Sequence, residues 1–399
     1  MDKFEVVILG NDINVYSVAR AFYEEYGIVS NAFGLSVGGI NVGSKIVNYK
    51  FVPNVDKTEA FLPTINSFAK EHSDEKVFVL GCGDNYIEVI AENKEKYESN
   101  VITHCPSLDD IRKLIRKEDF YELCDKYGVE RPKTFIHNKD ISLDFKLDFE
   151  APFILKPSNS VMYWDFPFEG KKKVFRLNSR EELNSTLDKV YKSGYTDHMI
   201  IQEFIPGNDT AMRVLTNYSD SNGKVKMMAL GHVLLEEHTP KGIGNHAVII
   251  TEPNTELMDK YKKFLEEIGF VGFSNFDIKY DERDNKFKAF EINVRQGRSN
   301  FYVTAGGCNI AKCLVEEYIE KKDKDIEFVT NKILWMVVPK KVAFKYIPEY
   351  KDEMQKLIKE KKCINPLFYK EDKKLIRNLR LFKAYFAYYK KYKDYGNGR

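Results

Sequence analysis

Between Gly272 and Tyr302 the segment GFSNFDIKYDERDNKFKAFEINVRQGRSNFY brings together Asp277, Glu291, Asn293, Arg295 and Arg298. Two carboxylates and an amide oxygen are hard donors, the set that suits Mg²⁺ holding nucleotide phosphates. The two arginines flank Gly297 and offer charged forks to anionic oxygens. A lone acid in a strand is ordinarily just solvated, so the combination carries the reading.

Two extended runs must present these groups. Phe273–Tyr280 and Lys286–Val294 flank a charged turn, Asp281–Asn285, as in a β-hairpin with a short polar loop. Side chains alternate across a strand, so Glu291 and Asn293 share one face; the hairpin register decides whether Asp277 joins them.

The chain before the hairpin supplies a scaffold. Phe4–Leu9 ends in Gly10-Asn11-Asp12 and leads into a helical pattern, Val15–Tyr26; Val77–Leu80 runs through Gly81-Cys82-Gly83 into a second, Tyr86–Asn93. Strand, turn and helix in repeated order predict a small parallel α/β domain over residues 1–110. Its first turn lacks GxGxxG, so a dinucleotide site is not supported. A helix over Asp109–Tyr127, closed by Gly128, carries Lys117, and a strand, Ala151–Pro157, carries Lys156 at its end. Taken alone, Lys117 is an ordinary solvated helix lysine. Arg213, on the strand AMRVLTNY, is expected to face phosphate or a substrate carboxylate. In Lys241–His246, Gly242 and Gly244 permit close backbone approach, while a lone histidine such as His246 is more often structural. Helices over Glu256–Ile268 and Asn309–Glu320 bracket the hairpin and complete a domain over 111–320.

The 399 residues suffice for two or three domains, and 43% hydrophobic with 31% charged residues indicates a soluble globular protein. Apolar runs such as Ile333–Val338 fall far short of the roughly 18 residues of a membrane span. Met1-Asp2-Lys3-Phe4-Glu5 enters a strand directly, which argues against a signal peptide and for the cytoplasm. Six cysteines without CxxC read as reduced thiols.

The net charge of +2 conceals an asymmetry: residues 321–399 carry 22 Lys and Arg against 10 Asp and Glu, the remainder 40 against 50. This tail is expected to hold a strand, Ile333–Val338, and two helices. In the last helix Leu375, Leu379, Phe382, Phe386 and Tyr389 form one apolar stripe beside many lysines. The default expectation packs that stripe on the protein. The sharper one lays a basic amphipathic helix on the anionic inner face of a membrane. No nucleic-acid motif accompanies the charge, so nucleic acid is not expected as a partner.

In order along the chain, Lys117, Lys156, Gln202–Ile205, Asp277, Glu291 and Asn293 resemble the motifs of the ATP-grasp superfamily over roughly residues 3–322. Lys117, with Phe120, Leu123, Gly128, Val129 and Pro132, matches the family's first phosphate-contacting lysine; APFILKP matches the strand of its second. The resemblance implies an N-terminal parallel α/β (pre-ATP-grasp) domain, a two-subdomain ATP-grasp fold of α/β and α+β character, and a basic helical extension over 321–399. It also implies ATP and Mg²⁺, with two ions expected and Mn²⁺ able to substitute. MIIQEFIPG resembles the hinge that grips adenine, which assigns Gln202, Glu203, Phe204 and Ile205 to the base, with Glu203 and Asp209 near base and ribose. After Lys156, Ser158-Asn159-Ser160 opens an insertion containing Tyr163, Trp164, Phe166 and only Gly170. This departs from the family's glycine-rich loop, and no phosphate contact is assigned within it.

Such enzymes phosphorylate a carboxylate, and many then join it to an amine. On that pattern Asp277, Glu291 and Asn293 hold the metal, while Arg295 or Arg298, with Arg213, stabilises the oxyanion. EINVRQGRSNFY, with valine where many relatives have proline, looks most like the D-aspartate ligase type, which attaches a D-amino acid to the side-chain amine of a peptidoglycan precursor. The implied partners are a small amino acid and an amine acceptor such as a muramyl peptide. Three alternatives share the core: a carbamoyl-phosphate-synthase-like small-molecule ligase, a carboxylase component needing a biotin partner, and a non-catalytic ATP-binding scaffold.

Overall fold

The fold comes from a computed structural model that describes residues 3–158, 160–240 and 242–396. The chain divides into two compact units, one of residues 1–111, 208–277 and 293–399, the other of 112–207 and 278–292. The tail is knit into the first unit: its strand Leu334–Met336 pairs antiparallel with His246–Thr251.

The first unit opens with a five-stranded parallel sheet in the order Val47–Phe51, Ser30–Gly34, Phe4–Leu9, Lys76–Gly81, Val101–Thr103. Phe4–Leu9 lies centrally, and its apolar run is buried, as a parallel strand covered on both faces requires. Asp12 starts the helix Ile13–Tyr26 by accepting from the N–H groups of Asn14 and Val15 at 3.0 and 3.3 Å. Gly10 makes the turn before it: its φ is +128°, and a Cβ would fall 2.9 Å from Val15 Cγ2.

Most of an eight-stranded sheet lies in the same unit. Its order is Lys286–Asn293, Gly272–Asp281, Met212–Ser219, Val225–Glu236, His246–Thr251, Leu334–Met336, Cys363–Ile364, with Glu327–Phe328 pairing on Val225–Glu236. The expected hairpin is therefore present, and Asn285 closes its turn at φ 57°.

Among the described residues the tail holds three α-helices, Lys340–Tyr346, Lys351–Lys359 and Leu375–Tyr395, one more than expected. The last helix also corrects the default expectation for its stripe. Leu375, Leu379, Phe382, Phe386 and Tyr389 are 77, 61, 47, 56 and 42% exposed. The opposite face is the one that packs, with Arg377, Leu381 and Tyr392 buried. Positions 377, 381, 385, 388 and 392 also recur at spacings of three and four, and polar anchors choose between the two faces. Arg377 Nε lies 3.2 Å from Asp372, and Tyr392 Oη donates to the Glu236 carbonyl at 2.5 Å. Asp372, itself fully buried, accepts from Tyr16 Oη, Ser44 Oγ and the Lys45 N–H at 2.8, 2.7 and 2.7 Å.

The second unit is built on a four-stranded antiparallel sheet, ordered Thr134–His137, Met199–Glu203, Phe153–Pro157, Phe175–Leu177. Leu183, Leu187 and Val190 of the helix Arg180–Lys192 cover Phe153, Leu155 and Ile201. The single helix expected over Asp109–Tyr127 is in fact two, Leu108–Ile115 and Lys117–Tyr127, broken at Arg116 with φ −71° and ψ 121°. In one straight helix Phe120 would point roughly a third of a turn away from Leu114, so a break lets both apolar groups be buried. In the insertion after Lys156, Ser160–Tyr163 forms a short helix, and Tyr163 is buried edge-on against Tyr195. Asn159 of that segment and Lys241 of the Lys241–His246 loop lie outside the described residues.

Candidate active site

In the second unit the two candidate lysines come together around one tyrosine. Lys117 is the first residue of its helix, and its Nζ lies 3.7 Å from Glu291 Oε2. Lys156 Nζ lies 3.4 Å from Tyr121 Oη and 5.8 Å from the centre of the Phe290 ring. Tyr121 Oη donates to the Phe290 carbonyl at 2.8 Å and accepts from Gln202 Nε2 at 2.7 Å. Burial and the neighbouring charge of Lys117 push the Lys156 ammonium down to about 7, with Glu291 pulling the other way. Two ammonium groups thus share one nearby carboxylate, an arrangement that a polyanion relieves. The sequence reading missed Tyr121, whose only signal was a hydroxyl on the buried face of an expected helix.

Gln202 sits in a strand paired on both sides, to Thr134 and to Ile154, and its amide is engaged by Tyr121 and Thr134 Oγ1. Pairing ends at Glu203, so Phe204 and Ile205 are the part of the expected hinge whose backbone lies past the strand. Phe204 is flanked by the Arg176 guanidinium at 4.2 Å and the Lys279 ammonium at 5.6 Å, and Ile205 is buried. Glu203 is engaged within the fold. It accepts from Arg283 Nη2 at 2.7 Å, the Lys133 N–H at 2.9 Å and Lys288 Nζ at 3.2 Å, and so holds the fold. Asp281, fully buried in the same cluster, accepts from Arg283 and Lys288 at 2.6 Å each. Hydrogen bonds from Arg283, assisted by Lys288, keep its carboxyl well below the usual range.

The first unit carries the other candidates. Asn293 Nδ2 lies 3.4 Å from Asp277 Oδ2, so the register does bring these two together. His246 is buried with Nε2 3.8 Å from Asp277 Oδ1, and burial together with Arg298 pushes its imidazole down to about 4. Neutral near pH 7, it sits beside the acid as a packed neighbour. Glu291, two residues before Asn293 on the same strand face, belongs to the second unit. Each of these carboxylate and amide oxygens is a hard donor of the type a divalent cation takes.

The three arginines differ. Arg295 Nε is 2.8 Å from Asp84 Oδ1, and its Nη2 donates to Asn293 Oδ1 at 3.2 Å. Arg213 pairs with Glu252 at 3.3 Å and donates to the carbonyls of Thr210 and Met212, which anchors its own strand end. Asp209 is likewise engaged in the fold, by His238 Nε2 at 2.6 Å and the Glu236 N–H at 2.8 Å. Arg298 donates to the His246 carbonyl at 3.4 Å and, among the described residues, has no carboxylate within 4 Å. It lines a cavity of about 300 Å³ with Asp12, Ile40, Phe368 and Tyr385. No motif linked those residues in the sequence. Gly297 lets this loop pack, because a Cβ there would lie 2.4 Å from Asn275 Nδ2.

No family model matches the sequence. The chain is similar to the D-aspartate ligase of Enterococcus faecium (strain Aus0004), 40% identical over 410 residues that span 99% of this chain and 97% of that one. It is also similar to the D-alanine–D-alanine ligase of Wolbachia sp. subsp. Drosophila simulans (strain wRi), 23% identical over 233 residues, 55% of this chain and 68% of the relative. In fold it resembles the N5-carboxyaminoimidazole synthetase of Staphylococcus aureus, with a TM-score of 0.59, 15% identity, and coverage of 88% of this chain and 87% of that one. The phosphoribosylamine–glycine ligase of Thermotoga maritima gives 0.56, 18%, 83% and 78%. The expected fold class is found: a parallel α/β domain, an ATP-grasp fold and a helical C-terminal end.

Proposed function

Since the chain belongs to the D-aspartate ligase family of ATP-grasp carboxylate–amine ligases, we propose that it joins D-aspartate or a similar D-amino acid to the side-chain amine of a peptidoglycan precursor in the cytoplasm. It is an ATP-dependent ligase forming a carbon–nitrogen bond. The observation that carries the finer reading is the cationic pair Lys117 and Lys156 held with Glu291 and Tyr121, a cradle short of negative charge.

In this reading Lys117 and Lys156 hold the ATP phosphates, supplying position and electrostatics, while the backbone at Phe204 and Ile205 meets the base. Asp277, Glu291 and Asn293 would hold Mg²⁺, as two ions, with Mn²⁺ able to replace them. When bound, the metal would supply charge neutralisation for the ATP phosphates. An oxygen of the amino acid's carboxylate attacks the γ-phosphorus and ADP leaves, giving an acyl phosphate. The acceptor amine, arriving neutral, attacks the carbonyl carbon; the carbon–oxygen bond to phosphate breaks, and the amine releases a proton to solvent. Arg298, free of a carboxylate partner among the described residues, stabilises the oxyanion of the tetrahedral intermediate. Arg295 acts through Asn293, whose amide oxygen it orients.

A phosphate-release screen of D- and L-amino acids, with and without a lysine-containing muramyl peptide, tests the proposal. Release that requires both D-aspartate and the peptide is expected. Formation of a small soluble amide without the peptide would point to a small-molecule ligase, and no release with any acceptor would point to a scaffold.

A further inference from the structure

The helix Leu375–Tyr395 shows the surroundings an apolar ridge that its own fold leaves uncovered. Leu375, Ile376, Leu379, Phe382, Phe386 and Tyr389 are all exposed. The rings of Phe382, Phe386 and Tyr389 follow one another nearly parallel, at 22° and 12°, along one side. Residues 373–393 contain eight Lys and Arg and no Asp or Glu. Arg377 pairs with Asp372 and Lys391 with Glu237 on the packed side. Lys373, Lys374, Lys383, Lys390 and Lys393 are exposed and, among the described residues, make no ion pair. The packed side fixes the helix about its axis through Arg377, Lys391 and Tyr392, so the ridge cannot roll inward to be covered.

We propose that this face docks on an anionic phospholipid surface, the helix lying along the bilayer with its aromatic ridge among the acyl chains and its lysines at the headgroups. Charge complementarity selects that occupant. A second copy pairing through the same ridge would set lysines against lysines, with Asp394 the one acid each helix has to answer them. A bilayer bearing anionic headgroups satisfies both features at once, since it is apolar beneath and negative above. Among the described residues no helix is long and apolar enough to cross a membrane; the contact proposed is one of lying on it.

The test is co-sedimentation of the full chain with vesicles of phosphatidylglycerol and phosphatidylcholine in equal parts, against vesicles of phosphatidylcholine alone. Binding to the anionic vesicles, weakened by salt, is expected, with little binding to the neutral ones. Replacing Lys383 and Lys390 by Ala should weaken it about thirtyfold, and Phe382→Ser with Phe386→Ser at least about tenfold. Both pairs should melt cooperatively, the lysine pair like the parent and the serine pair slightly lower, because Phe382 also packs on the Phe368 ring at 5.2 Å. Equal binding to both vesicle types, binding to neither, or wild-type binding by the serine pair overturns the proposal. So does a concentration-dependent dimer, in sedimentation velocity, that the serine pair abolishes, which would assign the ridge to a second copy. These readings report lipid binding alone and stand apart from which amino acid the enzyme ligates.

Discussion

Lys156 should take up a proton when nucleotide binds. In the free protein its ammonium is pushed down to about 7 by burial and by Lys117. At pH 8 about nine-tenths of the molecules therefore hold it neutral, at pH 6 about one-tenth. Bound phosphates restore the charged form and return the group toward its ordinary value near 10.4, so binding consumes about 0.9 proton at pH 8 and about 0.1 at pH 6. Titration calorimetry of the Mg²⁺ complex of a non-hydrolysable ATP analogue, run in buffers of different ionisation heat, counts those protons. Lys156→Arg, which stays charged throughout, should lose the uptake at pH 8 while keeping measurable binding. Uptake below about 0.3 proton at pH 8 in the parent, or equal uptake in the variant, would refute the argument. The same shift has a stability consequence. Because the folded value lies below the unfolded one, the cost of burying the charge is full below pH 7 and is relieved as pH rises toward 10.4. Lys156→Met should therefore melt higher than the parent at pH 7 and yet release no phosphate.

Glu291→Ala should cut amine-dependent ADP release about a thousandfold, since it removes both a proposed metal donor and the partner of Lys117; substantial turnover in a coupled assay would remove the metal assignment. Arg298→Ala should lower kcat by about a hundredfold or more with a smaller change in the KM for ATP, and an effect confined to KM would instead make it a binding residue. Asp281→Ala should destabilise the protein by about 3 kcal/mol in urea unfolding, because Lys288 loses a buried partner. The stabilisation Asp281 gives is present above the unfolded carboxyl range and is lost as pH falls through its depressed folded value. Gly297→Ala should impair catalysis more than folding, as its Cβ would displace Asn275 beneath the arginine loop.

The parts of this protein most legible in its sequence were those governed by local pattern. Phe4–Leu9 appears with the expected bounds, and the hairpin differs from expectation by one residue at three of its four strand ends, because alternation and turn chemistry act over a few residues. The convergence of Asp277 with Asn293 followed from strand periodicity once the register was known. What local pattern could not convey was competition between equally good patterns. The last helix has two faces with helical spacing, and the choice rests on Arg377 meeting Asp372, which Tyr16 and Ser44 hold, and on Tyr392 meeting Glu236; Tyr16, Ser44 and Glu236 are supplied from elsewhere in the chain. Glu203 and Asp209 show a similar gap: a motif names the residue but not whether its carboxylate is already engaged by Arg283 or His238. Tyr121 and the Arg298 cavity arise only when distant segments meet.

The buried carboxylate of Asp372, ringed by Tyr16, Ser44, Lys45 and Arg377, bears on how this enzyme is handled at the bench. A clone stopped short of it would leave two hydroxyls and an amide hydrogen facing a hole in the amino-terminal half, and would be expected to come out of cells as inclusion bodies. Better-behaved material for crystallisation should instead come from polar replacement at Phe386, with the carboxyl-terminal arm left at full length.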